Sequence, residues 1–98
     1  MLKPVKWSSF ADNDFAIILE YLHNKWNTTV TSNFITEVDY SIMLIQKNPK
    51  QFPIFNKHLQ IRKCVITKHN TLFFRETSTL IEILRLYDTR QNPLTLRF

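Results

Sequence analysis

An α+β domain is what this sequence predicts: a helical hairpin packed on one face of a largely antiparallel sheet of about four strands, in the order β-α-α-β-β-β. Three observations carry that prediction. Two apolar stripes at helical spacing run through residues 9–47. Three runs of strand-type residues follow across residues 60–87, with only two or three polar residues between them. A short strand-type run, LKPVKW at residues 2–7, precedes everything else.

That first run suits a sheet edge, because Pro4 near its start lacks a backbone donor. Ser8 or Ser9 then offers a helix cap, and Ser9 with Asp12 forms an acidic variant of the capping box. Phe15, Ile18, Leu19, Leu22 and Trp26 fall on one helical face and are expected in the core. Thr28 or Thr29 can cap a second helix, whose stripe is Val30, Phe34, Val38, Ile42 and Ile45 and which stops before Pro49. So short a connection makes the two helices an antiparallel hairpin. Residues 49–59 read as an extended, proline-marked connection. The strands then fall at roughly 60–67, 71–77 and 80–87, with turns near Lys68 to Asn70 and at Ser78-Thr79. With helices on one side only, the opposite sheet face should be open, and function should lie there.

The chain has 98 residues, 44% of them hydrophobic, which suits one domain over 1–98 with one core. The longest apolar candidate for a membrane span, around Ile17 to Leu22, is interrupted by Glu20, and Pro4, Lys6, Ser8 and Ser9 leave no signal-peptide apolar region. The single cysteine, Cys64, excludes an internal disulfide and a cysteine-based zinc site, and suits a reduced cytoplasm. Glycine is absent, which removes the phosphate-cradling P-loop and the dinucleotide fingerprint, both of which need close backbone approach. Asn70 is then the candidate for any left-handed turn position.

Net charge is +5, and its distribution is uneven. Residues 1–39 carry Asp12, Asp14, Glu20, Glu37 and Asp39 against Lys3, Lys6 and Lys25. Residues 40–75 carry Lys47, Lys50, Lys57, Arg62, Lys63, Lys68 and Arg75 with no acid at all. Such a block suggests a surface for an anionic partner, the alternative being a solvated basic face.

Strand alternation puts Arg62 on one face with Cys64 and Ile66, and Lys63 on the other with Val65. Arg62, Lys63 and Lys68 are candidates for holding phosphates or an acidic peptide. Arg75 and Arg85 sit in very apolar runs, where an arginine either pairs with a neighbouring Glu76 or Glu82 or projects from the sheet. Arg90, in the turn-rich DTRQNP segment, is the leading single candidate, its alternative being a pair with Asp88 that closes the strand end. His58 is a possible proton shuttle, His69 a hairpin-tip residue, and Cys64 a small core residue. The histidines share no metal-ligand spacing, and neither a metal nor a cofactor is expected.

The order of WSSFADNDFAIILEYLHNKW, Phe52-Pro53, Ile61-Arg62-Lys63, Leu72-Phe73-Phe74-Arg75 and the DTRQNP ending resembles the RelE/ParE superfamily of bacterial toxins across nearly the whole chain. The resemblance implies the toxin of a type II toxin–antitoxin module, of the kind called plasmid stabilisation proteins, inhibiting growth in the cytoplasm. Its partners would be a cognate antitoxin and either DNA gyrase or the ribosome with messenger RNA, with a homodimer or a toxin–antitoxin hetero-oligomer as the assembly. If the chain is a RelE-like ribonuclease, the catalytic candidates are Arg62, Arg75, Arg90 and His58. For target or antitoxin binding the candidates are Arg62, Lys63, Lys68, Arg75 and Arg90. Thr71 stands where RelE has an arginine, and no Tyr or His follows Arg90. These departures favour a non-enzymatic, ParE-like gyrase inhibitor over an endoribonuclease.

Overall fold

A computed structural model describes residues 2–98. Strand β1 (Val5–Trp7) leads into helices α1 (Ser9–Lys25) and α2 (Thr28–Lys47). A 3-10 turn at Pro49–Gln51 precedes strands β2 (Ile54–Asn56), β3 (Ile61–Thr67), β4 (Asn70–Glu76) and β5 (Ile81–Asp88), and a second follows at Pro93–Thr95. The sheet order is β1-β5-β4-β3-β2, with β1 parallel to β5 and the other pairs antiparallel. Two helices on one face of a mostly antiparallel sheet is the architecture the sequence predicts. The extra strand is β2, three residues inside the segment read as a connection, too short to show a period of its own.

Ser8, not Ser9, caps α1. Its Oγ accepts from Ala11 N–H at 3.0 Å and donates to Leu84 C=O at 2.8 Å, while its own N–H donates to Ile83 C=O at 2.9 Å. One residue therefore starts the helix and stitches it to β5. Asn27 caps α2 in place of Thr28 or Thr29: its backbone is extended and its Oδ1 accepts from Val30 N–H at 2.9 Å. Thr28 is already helical, so its hydroxyl cannot serve the first turn in that way.

The main core lies between hairpin and sheet. Phe34, Val38 and Ile45 from α2 pack with Cys64, Leu72, Phe74, Ile81, Ile83 and Leu86 from the strands, and Trp7, Phe15, Leu19 and Leu22 flank them. Leu84 alternates from Ile83 to the far face, and the register shift at Phe73/Phe74 against β5, which makes Leu84 the extra residue, puts Tyr87 there as well. There they form a second buried cluster with Ile61 and Phe73, and Leu96 of the C-terminal tail covers it. The far face is thus not open as expected; a thin strap of chain closes much of it.

Two further expectations are corrected. Trp26 is 65% exposed instead of being in the core, because it ends α1 beyond the reach of the sheet. The left-handed residue is Gln60 (φ 59°), not Asn70. With no glycine in the chain, Gln60 takes that strained position, which costs a non-glycine residue roughly 1–2 kcal/mol. Its N–H and side-chain amide both donate to Lys57 C=O and hold the turn. Asn70 instead opens β4, where its Oδ1 accepts from Thr67 Oγ at 2.9 Å.

Candidate functional site

A groove of about 740 Å³ opens where the hairpin meets the end of the sheet. Its apolar wall comes from Ile17, Tyr21, Trp26, Val30 and Phe34 on the helices and Leu86 on β5. Ile17, Tyr21 and Trp26 are exposed along it, so this apolar surface has no partner within the described chain. Glu37, His69, Asp88 and Arg90 give it a polar rim.

Asp14 builds the corner of the groove. Strand β1 stops at Trp7, which leaves the outer edge of β5 without a strand partner beyond Ile83. The Asp14 carboxylate takes over that role, accepting from Leu86 N–H at 3.1 Å. It also holds Arg85 through two bonds, Nε at 2.7 Å and Nη2 at 3.0 Å, both side chains being only 14% exposed. Hydrogen bonding to Asp14 raises the Arg85 pKa above its ordinary value and outweighs the opposing effect of burial. Arg85 Nη1 donates to Arg97 C=O at 2.7 Å, which ties the tail to the same corner.

Arg90 lies on the rim and pairs with Asp88, Nε to Oδ1 at 3.0 Å and Nη2 to Oδ2 at 2.8 Å. The Arg90 hydrogen bond holds the Asp88 carboxyl below its usual range. Arg62 lies on the helix side, as alternation predicts, and donates to Phe52 C=O at 2.7 Å. Arg75 faces the other way and bonds Glu82 at 3.0 Å and Leu59 C=O at 3.4 Å. Lys63 is exposed on the far face, Lys68 is exposed in the β3–β4 turn, and His58 is exposed in the β2–β3 loop. His69 lines the groove. The structure therefore brings Arg90 to the groove, leaves Lys68 in the turn whose neighbours Thr67 and His69 line it, and scatters Arg62, Lys63, Arg75 and His58 elsewhere. Cys64 is buried, and burial pushes its thiol pKa up, as suits a core residue.

Asp14, Ile17 and Tyr21 line the groove although sequence reasoning gave them no role, and Trp26 lines it although it was expected in the core. A signal existed: Phe10, Asp14, Ile17 and Tyr21 also share one helical face, offset from the core stripe. Among the described residues there is no group of three or more His, Cys, Asp or Glu that could hold a metal ion, and no helix is long and apolar enough to cross a membrane.

The fold matches solved structures closely. A chain described as the chromosomal ParDE toxin–antitoxin system from P. aeruginosa superposes with a TM-score of 0.74 at 16% identity, over 89% of this chain and 96% of that one. The E. coli DinJ-YafQ toxin–antitoxin complex gives 0.63 at 11% identity, over 92% and 96%. A YoeB/ParE toxin from Agrobacterium tumefaciens gives 0.63 at 10% identity, over 87% and 96%. Identities this low establish the fold alone. No curated protein matches the sequence. The sequence profile described as ParE toxin of the type II toxin–antitoxin system, parDE, does match, over residues 5–93. The chain belongs to that family, within the RelE/ParE superfamily of type II toxins.

Proposed function

We propose that this chain is a growth-inhibiting toxin that acts by binding DNA gyrase, and that a cognate antitoxin neutralises it by seating apolar side chains in the groove. The observation that carries the gyrase reading is how the arginines are engaged. Cleavage of RNA by 2′-hydroxyl attack needs a base, an acid and phosphate-stabilising cations around one point. Here Arg62, Arg75, Arg85 and Arg90 each bond a different partner, Phe52 C=O, Glu82, Asp14 and Asp88, on different sides of the sheet. His58 and His69 sit in different loops, the latter at the groove rim. Dispersed cations suit a binding surface better than a ribonuclease centre.

The antitoxin reading draws on the groove, whose helical walls and exposed aromatic residues suit the apolar face of a docked helix. The similar P. aeruginosa and E. coli structures are themselves described as toxin–antitoxin systems.

The test has two arms. Purified chain is added to gyrase in a DNA supercoiling assay, and in parallel to a translation reaction followed by primer extension on the messenger RNA. Inhibited supercoiling with intact message is the expected result. Cleavage within codons, lost in Arg90→Ala, would replace the gyrase reading with the ribonuclease one. Expression of the chain alone should arrest bacterial growth, and co-expression of the gene beside it should relieve the arrest.

A further inference from the structure

Helix α2 gives Val30, Asn33, Phe34 and Glu37 to the groove wall, spaced by three and four residues along one face. Glu37 therefore stands one turn beyond Phe34, at the end of an otherwise apolar stripe. Of the acids and arginines that line the groove, Glu37 alone lacks a partner among the described residues. Asp14 is held by Arg85, and Asp88 by Arg90. Glu37 is exposed and forms no ion pair, not even with Lys68 in the turn beside the lining residues Thr67 and His69. The chain as a whole is basic, yet the free charge on this helical wall is negative.

The other groove residues favour a cation in the same way. Tyr21 and Trp26 are 48% and 65% exposed, and the faces of their rings attract positive charge. Arg90 is the one group on the rim that would answer an acid, and its Nε and Nη2 are both turned on Asp88. We propose that Glu37 sets the specificity of the groove: the segment that fills it is a helix of another protein with an apolar face and a lysine or arginine placed over Glu37. The proposal rests on the groove as the docking site of a helix, and it is separate from the gyrase reading.

Discrimination comes from both signs of charge. A basic residue over Glu37 gains an ion pair as the apolar faces close and water leaves. An acidic residue there meets a like charge, and such a contact across an interface excludes a wrong partner. The net charge of +5 makes the idea a demanding one. Long-range attraction draws acidic peptides to the chain as a whole. At an ionic strength of about 0.15 M that attraction is screened beyond about 8 Å, and the contact at Glu37 decides. A preference for a basic helix is thus the opposite of what total charge alone predicts.

Two fluorescein-labelled helical peptides are the probes, followed by anisotropy at about 0.15 M salt. Both carry the same stripe of Leu at helical spacing, flanked by Lys in one and by Glu in the other. The Lys-flanked peptide should bind the unaltered protein at least about tenfold more tightly. Glu37→Gln should bring the two affinities together, and Glu37→Lys should reverse their order. Both substitutions place a good helix former at an exposed position, so the fold should persist, as thermal unfolding checks. Ile17→Ser, on the exposed apolar wall, should weaken both peptides alike. If Ile17→Ser weakens both while the Glu37 variants leave their order unchanged, the groove docks a helix but Glu37 does not choose it, and the proposal falls alone. Tighter binding of the Glu-flanked peptide to the unaltered protein would overturn it equally. If neither peptide binds, or binding ignores Ile17→Ser, the groove reading fails and the proposal with it.

Discussion

The two faces of the sheet are covered by very different amounts of chain. On one face two full helices seal Phe74, Leu72, Ile81 and Ile83, which are 0–1% exposed. On the other, six residues after Asn92 cross the surface, with Leu96 half-buried over Ile61, Phe73 and Leu84. Phe98 meets Phe55 and Phe73 at ring-centroid distances of 6.1 and 5.5 Å. Side chains alternate along each strand, so the same strands feed both faces. What differs is the cover. The helices hold their face through an extended apolar interface, whereas the tail holds its own by a few contacts: Tyr87 Oη donates to Asn92 C=O at 2.9 Å, and Arg97 C=O accepts from Arg85. The helical face is the foundation, and the tail face is the part that local opening reaches first.

The comparison is broken most severely from the helical side. Phe74→Ala should open a cavity under the hairpin and cost about 3–5 kcal/mol. At about 4–8 °C per kcal/mol for a domain this size, thermal unfolding should fall by well over 10 °C. A loss no larger than that of a tail substitution would erase the distinction between the faces.

Asp14→Ala attacks the joint between the faces. It leaves Leu86 N–H and the Arg85 guanidinium without their partner at a largely buried corner. The expected loss is about 1–3 kcal/mol. Asp14→Asn keeps an acceptor and should recover part of it, as read by urea unfolding.

A smaller effect is expected from the strap. Leu96→Ala removes a half-buried contact and should cost about 1 kcal/mol. Hydrogen exchange should quicken at the far-face amides of Phe73 and Leu84 before it changes in α2. Uniform quickening would show that both covers open as one unit.

The smallest stability effect belongs to the groove rim. Arg90 is exposed, so Arg90→Ala should leave the melting temperature unchanged, while weakening growth arrest if Arg90 meets the target, or weakening its relief by the antitoxin if Arg90 meets that partner instead. Unfolding as large as that of Asp14→Ala would make Arg90 a structural clasp. The Asp88–Arg90 pair also has a pH signature. Because the folded pKa of Asp88 is depressed, its contribution is fully present above the unfolded value of about 3.9 and is lost as pH falls through the lower folded value. Its side chains are 26% and 58% exposed, so solvent screens the pair and the slope should be shallow. Acid titration of wild type against Arg90→Ala measures it.

Much of this architecture was legible beforehand. The stripe of Val30, Phe34, Val38, Ile42 and Ile45 marked α2, and the runs at roughly 71–77 and 80–87 marked β4 and β5 to within a residue at each end, because periodicity is a local property of the chain. The face of Arg62 followed from alternation in the same way. The site was less legible. Ile17 and Tyr21 lie outside the core stripe, and nothing in the order of residues says that α1 would lean over the end of β5. Trp26 matched the core stripe by spacing, yet the helix outruns the sheet there.

The sequence by itself determined the two helices, the final meander, their stacking as an α+β layer pair and the acid-free basic block. Each follows from spacing or composition within a short window. Only the tertiary structure decided that Asp14 rather than Glu82 answers Arg85, across 71 positions of chain. It also decided that the tail closes the far face. These depend on which surfaces meet after the sheet twists and the layers pack, and residues distant in sequence carry no local mark of that meeting.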